Sequence, residues 1–264
     1  MIEKTKQPLN VRIKRAFRKD WQLFLMCLLP VIYFIVFHYL PMYGVQIAFK
    51  DFQASKGIWG SSWVGFKYFK RFFESYQFWP LIKNTLSLSL LQILIGFPIP
   101  ILLAILLNQM KNQKFRQFVQ TVTYCPHFIS IVVLTGMLYI FLSPRTGLIN
   151  NLITSLGGDA KFFLGQPEWF RPIFVLSGVW QNAGWSAIIY IAALAGISPD
   201  LYEAAKMDGA NRWQIIRHID IPGIMPTVTM LLIMEMGKVM NIGFQKAYLM
   251  QNGLNIAASE IIPT

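Results

Sequence analysis

The chain has 264 residues, of which 55% are hydrophobic and 14% are charged, and its formal net charge at pH 7 is +12. In soluble domains roughly a quarter of the residues are charged. This composition therefore argues against a soluble protein and predicts one membrane domain. The positive charges lie mainly between long apolar runs, which excludes the continuous basic face that binds nucleic acid.

A basic segment, residues 1–22, precedes the first apolar run. Residues 11–21 have the pattern of an amphipathic helix, which we expect to lie on the cytoplasmic surface of the membrane and contact lipid. The apolar run is too long for a signal peptide, and no small-residue cleavage site follows it. We therefore predict an uncleaved cytoplasmic N-terminus, with residues 23–264 forming the transmembrane domain.

Five apolar stretches are long enough to span a membrane as helices, which requires about 20 residues. Prolines interrupt several of them, and this is tolerated because neighbouring helices re-satisfy the carbonyls that proline leaves free. The predicted spans are residues 23–45, 86–107, 119–142, 173–197 and 221–244.

Lysine and arginine placement predicts the orientation of the spans. These residues concentrate in the N-terminal segment, in the connection between the second and third spans, and in the loop at 198–220. The three segments alternate so that they share one side, which we assign to the cytoplasm. The connections at 46–85 and 143–172 carry aromatic residues typical of a membrane interface, and we assign them to the opposite side.

The loop at 198–220 is predicted to begin with a short helix. Asp200 and Glu203 fit a capping box at the start of this helix, residues 200–208. Gly209 then ends it, because glycine tolerates the left-handed conformation found at helix C-termini.

A second short helix, residues 212–219, is predicted to follow, with Asn211 as its cap and Pro222 opening the fifth span. The product is a helix-turn-helix elbow. Ala204 and Ala205 give the elbow a small, smooth face that can enter a groove on a partner. An ordinary amphipathic loop between two spans is the alternative interpretation of this segment taken alone.

The whole loop resembles the EAA signature of permease subunits of ATP-binding-cassette (ABC) importers, E-A-A-x3-G-x9-I-x-L-P. Every spacing matches, and Ile221 stands where leucine is usual. The resemblance implies an all-α fold, a polytopic transmembrane helical bundle of the type I ABC importer permease class. Such permeases usually close with a sixth span, which is expected beyond residue 264; a span count that is wrong by one is the alternative. The residues implied in ATPase coupling are Tyr202, Glu203, Ala204, Ala205, Asp208, Gly209, Ala210 and Pro222.

The same resemblance implies that ATP hydrolysis occurs on another polypeptide. No G-x-x-x-x-G-K-[ST] motif occurs in the sequence, so this chain lacks the loop that cradles nucleotide phosphates. We expect no catalytic residue and no cofactor in this chain, with ATP and Mg²⁺ bound by the partner ATPase. The cysteines and histidines have no metal-ligand spacing, so no metal site is expected.

Several tracts, among them LYEAAKMDGANRW, PMYGVQIAFKDF and CPHFISIVVLTGM, resemble the permease branch that imports oligosaccharides and polysaccharide fragments in Gram-positive bacteria. The resemblance implies a multi-pass subunit of the bacterial cytoplasmic membrane, working by alternating access. The implied partners are a second homologous permease, an ATPase subunit dimer, an extracellular solute-binding lipoprotein and an oligosaccharide substrate.

Polar side chains within spans are the candidates for the substrate path, because hydrocarbon makes them costly unless they serve a cavity or a partner. Amides and carboxylates with aromatic rings match the hydrogen bonding and stacking that sugars require. An ion pair with Lys238 is the alternative role of Glu235. The candidates are Asn182, Trp185, Tyr190, Glu235, Asn241 and Gln245.

Three other functional classes compete with a permease. A secondary transporter would show repeated interrupted helices and ion-coupling groups, and an ion channel would show a filter segment or charged rings. A membrane enzyme would need convergent catalytic acids or metal ligands. The sequence shows none of these patterns.

Overall fold

A computed structural model describes residues 19–264, which form two compact units, one ending at Ser75 and one covering Tyr76–Thr264. Almost all of the predicted N-terminal amphipathic segment lies outside the described residues. Within the described chain, three helices are long and apolar enough to cross a membrane, and up to five if each of two bent pairs is one span. The predicted number of spans corresponds to the larger count.

The first unit begins with a continuous helical span, Trp21–Phe49. No residue of its first segment, α1 (Trp21–Phe34), is buried, as expected for a helix whose apolar side chains face lipid or a partner. The span continues through a π turn (Ile35–Tyr39), α2 (Leu40–Met42) and a 3₁₀ segment (Tyr43–Phe49).

A small hairpin follows the first span, and the sequence patterns did not predict it. Strands β1 (Lys50–Asp51) and β2 (Ser62–Trp63) pair antiparallel, with Lys50 opposite Trp63. The Tyr68 hydroxyl donates a 2.5 Å hydrogen bond to Asp51. The remaining helices of this unit are α3 (Gly57–Gly60) and α4 (Lys67–Phe73).

The second unit contains the other candidate spans and two buried apolar clusters. Its π turns are Gln92–Gly96 and Ile216–Asp220, and its 3₁₀ turns are Cys125–Phe128 and Phe163–Gly165. Its α-helices are α5 (Phe78–Leu91), α6 (Pro98–Asn108), α7 (Gln113–Tyr124), α8 (Ile131–Phe141), α9 (Leu148–Ser155), α10 (Pro167–Ala195), α11 (Pro199–Met207), α12 (Arg212–Ile215), α13 (Ile221–Met236), α14 (Phe244–Met250) and α15 (Ile256–Ser259).

The two clusters form around the beginning and the end of the long helix α10. One forms around Phe170 and Phe174 of α10 with Leu88 and Met250. The other forms around Tyr190 and Leu194 of α10 with Ala104 of α6 and Ile224 of α13. Helix α10 is therefore the central packing element of this unit.

The third predicted span is broken rather than continuous. Residues Gln113–Phe128 and Ile131–Phe141 form two helices that meet at an angle of 99°. Pro126 lies in the 3₁₀ turn before the break, and Ser130 caps α8 by accepting from the backbone N–H of Val133. Pro126 interrupts the first helix and Ser130 starts a new one, and together they account for the break.

The elbow differs from the predicted one at its start. Ser198, and not Asp200, is the cap of α11: its hydroxyl accepts from the Asp200 N–H at 3.3 Å. Pro199 is the first helical residue, where its missing N–H costs nothing. Asp200 and Glu203 therefore lie inside the helix, and Asp200 complements the positive end of its dipole in the first turn.

The fifth span also begins earlier than predicted. Arg212–Met236 is a continuous helix, so Pro222 does not open the span, and the helix ends at Met236 rather than near 244. The π turn Ile216–Asp220 ends two residues before Pro222. A wider turn at this point accommodates a proline ring that clashes with the carbonyl four residues earlier.

Helix α10 approaches α7 so closely that only glycine fits at residue 184. A Cβ on Gly184 would lie 2.1 Å from the carbonyl oxygen of Thr123 and 2.4 Å from its carbonyl carbon. Small residues at such crossings let helix backbones approach in membranes. The crossing holds the first arm of the broken span against the centre of α10.

We expect Gly184→Ala to destabilise the protein by about 1–3 kcal/mol, the usual cost of overpacking, because the clash is with backbone that cannot rotate away. Gly136→Ala is the matched control, since a methyl on Gly136 meets no atom of the described residues within 4 Å apart from its own helix backbone and chain neighbours. Thermal unfolding in detergent measures both variants. Equal melting temperatures for the two would contradict the close approach.

Candidate functional site

The turn of the elbow is a Schellman motif. The N–H of Ala210 donates to the carbonyl of Ala205, and the N–H of Gly209 donates to that of Lys206. Gly209 has a φ of +75°, the left-handed conformation that glycine adopts without strain. The turn formed by Ala205, Gly209 and Ala210 thus sets the angle between α11 and the segment that follows it.

The second helix of the elbow begins with the cap that the sequence predicts. The Asn211 side chain accepts from the N–H of Gln214 at 2.9 Å, and the Gln214 side chain accepts from the N–H of Asn211 at 2.7 Å. This reciprocal capping box satisfies two backbone donors. It fixes the point at which the chain re-enters a helix after the turn.

A buried carboxylate anchors the elbow to the bundle. Asp220 has no exposed surface and accepts hydrogen bonds from the Tyr202 hydroxyl at 2.6 Å and the Gln109 amide at 2.7 Å. The Asn108 amide lies 3.4 Å from the same carboxylate. We call these four residues the Asp220 node. It joins α11, the end of α6 and the π turn before α13.

The Tyr202 side chain lies on the elbow, outside the spans. Burial, together with its hydrogen bond to Asp220, raises the pKa of Tyr202 to about 12. The phenol therefore keeps its proton at neutral pH and acts as the donor in the Asp220 node.

The outer surface of the elbow is open and apolar. Leu201 is 53% exposed, Met207 is 89% exposed and Trp213 is 71% exposed. Glu203 and Asp208 are also exposed, and among the described residues neither forms a salt bridge. Apolar residues beside unpaired carboxylates are what a protein partner would contact.

The remaining predicted coupling residues occupy different parts of the elbow. Ala204 is exposed and Ala205 is half-buried, so only one of the two alanines is fully available to a partner. Pro222 is exposed at the beginning of α13, away from the turn. The structure brings Tyr202 to Gly209 onto one short helix and its turn, and leaves Pro222 in the span.

Two predicted substrate-path residues meet at the broken span. The Trp185 indole of α10 stacks on the His127 imidazole, with ring centroids 4.5 Å apart and ring planes at 4°. The Asn182 amide oxygen lies 3.0 Å from His127 Nδ1, and the Phe128 ring meets Trp185 edge-on at 5.7 Å. We call these four residues the aromatic-amide cluster.

The break in the span exposes this cluster and is stabilised from α10. The Gln181 amide donates to the carbonyl of Ile129 at 2.7 Å, which satisfies a backbone acceptor that no helix partner reaches. Trp185 is 44% exposed and Phe128 is 74% exposed. The cluster is thus a rigid, open surface of rings and polar atoms.

The other four candidates do not join this cluster. Tyr190 is buried in the apolar core around α10. Glu235 lies in the last turn of α13, where its carboxylate is 3.5 Å from the ammonium of Lys238. Asn241 and Gln245 are exposed, and no hydrogen bond within the described chain joins either side chain to the cluster.

Sequence patterns missed four groups that the structure places at or near these sites. His127 carries no motif spacing, and Gln109 and Asp220 look like ordinary helix-end residues. Lys246 is buried, with its ammonium donating to the carbonyl of Phe174 at 2.7 Å and lying 4.7 Å from the centre of the Phe174 ring. A charge beside an apolar run was the available signal for Lys246.

No group of three or more histidine, cysteine, aspartate or glutamate side chains is close enough to hold an ion among residues 19–264. Both cysteines, Cys27 and Cys125, are free and exposed.

Two relatives from Bacillus subtilis (strain 168) align with most of this chain. Protein LplB is 43% identical over 249 residues, which cover 94% of this chain and 78% of the relative. The polygalacturonan/rhamnogalacturonan transport system permease protein YteP is 47% identical over 242 residues, which cover 92% and 75%.

A solved structure shares the fold. It is a chain of a bacterial ABC transporter involved in the import of the acidic polysaccharide alginate, with a TM-score of 0.88 and 43% sequence identity. The match covers 96% of this chain and 85% of that one. The family profile described as binding-protein-dependent transport system inner membrane component matches residues 96–261. This chain therefore belongs to the family of inner-membrane components of binding-protein-dependent transport systems.

Proposed function

We propose that this chain is the permease subunit of an ATP-driven importer that moves oligosaccharides across the bacterial cytoplasmic membrane. In this proposal the elbow docks on a separate ATPase, and the aromatic-amide cluster contacts the sugar. Alternating access of the spans links the two events. The observation that carries the proposal is the elbow, a short helix with an open apolar face whose base is tied to two spans.

The elbow has the properties of a docking element. Its outward residues, Leu201 and Met207, are 53% and 89% exposed in the described chain, and full burial of such a side chain in a partner's groove contributes up to about 1.5–3 kcal/mol. Glu203 and Asp208 supply charges for a basic rim. The left-handed turn at Gly209 holds these residues away from the bundle, where a partner can reach them.

The energy source in this proposal is a separate ATPase dimer that binds ATP and Mg²⁺. The 264 residues contain no P-loop, and the family is one of inner-membrane components. A second homologous permease would complete the pore. An extracellular solute-binding lipoprotein would deliver the sugar. The related alginate transporter has been solved in complex with a periplasmic protein bound to alginate pentasaccharide.

The substrate class that we propose is an oligosaccharide from an acidic polysaccharide. YteP is named for polygalacturonan and rhamnogalacturonan transport, and the structural relative imports alginate. The aromatic-amide cluster has the required chemistry, because Trp185 and Phe128 offer ring faces while Asn182 and His127 offer polar atoms. The path residues Tyr190, Glu235, Asn241 and Gln245 remain candidates for contacts that form in other conformations.

Coupling predicts that Gly209→Val reduces sugar uptake per ATP hydrolysed, because a β-branched residue at a φ of +75° costs of the order of 1–3 kcal/mol and distorts the turn. Gly209→Asn is the matched control, since asparagine tolerates this conformation. Uptake and ATP hydrolysis are measured in proteoliposomes of the complete transporter. Wild-type values of both for Gly209→Val would refute docking through this elbow.

Sugar contact at the cluster predicts that Trp185→Ala lowers uptake about tenfold, which corresponds to the loss of roughly 1.4 kcal/mol of stacking. Trp180→Ala is the matched control on the same helix, because Trp180 is 51% exposed but lies about 140° away around the helix axis. Uptake of a galacturonate oligosaccharide is compared with that of a neutral one of equal length. Equal losses of uptake in the two variants would contradict sugar contact at the aromatic-amide cluster.

The proposed orientation predicts opposite labelling at two exposed positions. After both native cysteines are replaced, Lys114→Cys should be protected from an impermeant thiol reagent applied to intact cells, and Asp159→Cys should react. Both side chains are exposed in this chain, so protection at residue 114 reports the membrane and not burial. Labelling at 114 with protection at 159 would invert the topology and place the elbow outside.

A further inference from the structure

We propose that Asp220 is a positioning residue that transmits movement of the elbow helix α11 to the adjoining ends of two spans, α6 and α13. This inference rests on the proposed docking of the elbow on an ATPase. It adds the internal route by which a push on the elbow reaches the bundle.

The Asp220 carboxylate accepts every hydrogen bond that defines the Asp220 node. Tyr202 reaches it from α11, and Gln109 and Asn108 reach it from the end of α6. Both carboxylate oxygens accept, and the residue has no exposed surface. Hydrogen bonds to a buried carboxylate are stronger than those between neutral groups, so the three elements move with it.

Burying the Asp220 carboxylate costs free energy that a purely structural contact would not require. Desolvating a carboxylate is unfavourable unless it is paired, and no lysine or arginine forms a salt bridge with Asp220 in the described chain. An apolar residue here would pack α11 against α6 without that cost. Directional acceptors, by contrast, hold Tyr202 and Gln109 at fixed positions relative to each other.

Asp220 lies in an irregular part of its helix. It is the last residue of the π turn Ile216–Asp220, and single π turns within helices occur frequently at functional sites. The turn directly precedes α13. A displacement of Tyr202 would thus change the start of α13 through Asp220 and the end of α6 through Gln109 at the same time.

The test uses the complete transporter in proteoliposomes, with ATP hydrolysis and uptake of a tritiated galacturonate oligosaccharide measured on the same vesicles. Tyr202→Phe and Gln109→Leu each remove one donor and keep most of the side-chain volume. We expect uptake per ATP to fall at least about fivefold, the lower end of measured coupling between linked sites. Tyr76→Phe, at an 86% exposed tyrosine, is the control and should match wild type.

Two variants of the carboxylate sharpen the test. Asp220→Leu removes both acceptors and should uncouple the transporter. Asp220→Asn should retain most of the coupling, because its oxygen accepts from Tyr202 and the Gln109 amide can turn to accept from its nitrogen. If Asp220→Leu fails to assemble, the uptake ratio of Tyr202→Phe, which removes only one donor, decides the test.

Four outcomes are separated by measuring the amount of assembled complex and its melting temperature alongside the uptake ratio. A fall in uptake per ATP at equal amounts of complex supports the inference. Lower stability with an unchanged ratio would overturn it, since the node would then only hold the fold together. An unchanged ratio in Tyr202→Phe beside a reduced one in Gly209→Val overturns the inference alone, whereas unchanged ratios in both overturn the proposed docking as well.

Discussion

Hydrocarbon supplies no hydrogen-bond partner, and this constraint accounts for the side-chain hydrogen bonds at the break in the third span. Backbone polar groups at membrane depth must be satisfied by the protein itself. At the break in the third span, Gln181 donates to the carbonyl of Ile129 and Ser130 accepts from the N–H of Val133. Side-chain hydrogen bonds therefore stabilise the break. The break also creates the surface on which His127 and Trp185 stack.

A proline within a helix leaves a backbone acceptor without its donor, and at three prolines of this chain a π turn precedes the ring. Pro41, Pro98 and Pro222 each lie two residues after the end of a π turn. A proline removes one backbone donor and displaces the carbonyl four residues earlier. One wider turn absorbs both effects without ending the helix, and at the third of these prolines the widened turn also buries Asp220.

The sequence predicted those parts of the fold that depend on local patterns. Apolar runs of sufficient length located the spans, the glycine at 209 located the elbow turn, and Asn211 was correctly identified as a cap. The cap at Ser198 was missed because Asp200 with Glu203 matched the same template, and only the position of Pro199 in the first turn separates the two. The earlier start of the fifth span was missed because a π turn has no clear sequence signature.

Sites that depend on tertiary contacts were predicted only in part. Asn182 and Trp185 were identified by residue type, but the rings and polar atoms beside them come from a turn about 55 residues earlier in the chain. Gln109 and Asp220 lie 111 positions apart, and no spacing rule joins them. Glu235 was predicted inside a fifth span covering residues 221–244, whereas the helix begins at Arg212 and ends at Met236, which puts the carboxylate in the last turn, 3.5 Å from the Lys238 ammonium.

Helix α10 connects the two candidate sites. Trp185 lies ten residues before its end at Ala195, or about 15 Å along the axis at 1.5 Å per residue, and the elbow follows directly. The same helix packs with α6 and α13 in one apolar cluster, and it meets α7 at the glycine contact with Thr123. A close-packed core is only slightly compressible. In the proposed coupling, a shift of α6 and α13 at the Asp220 node would move α10 against α7, whose end leads directly into the turn that carries His127 and Phe128 of the aromatic-amide cluster.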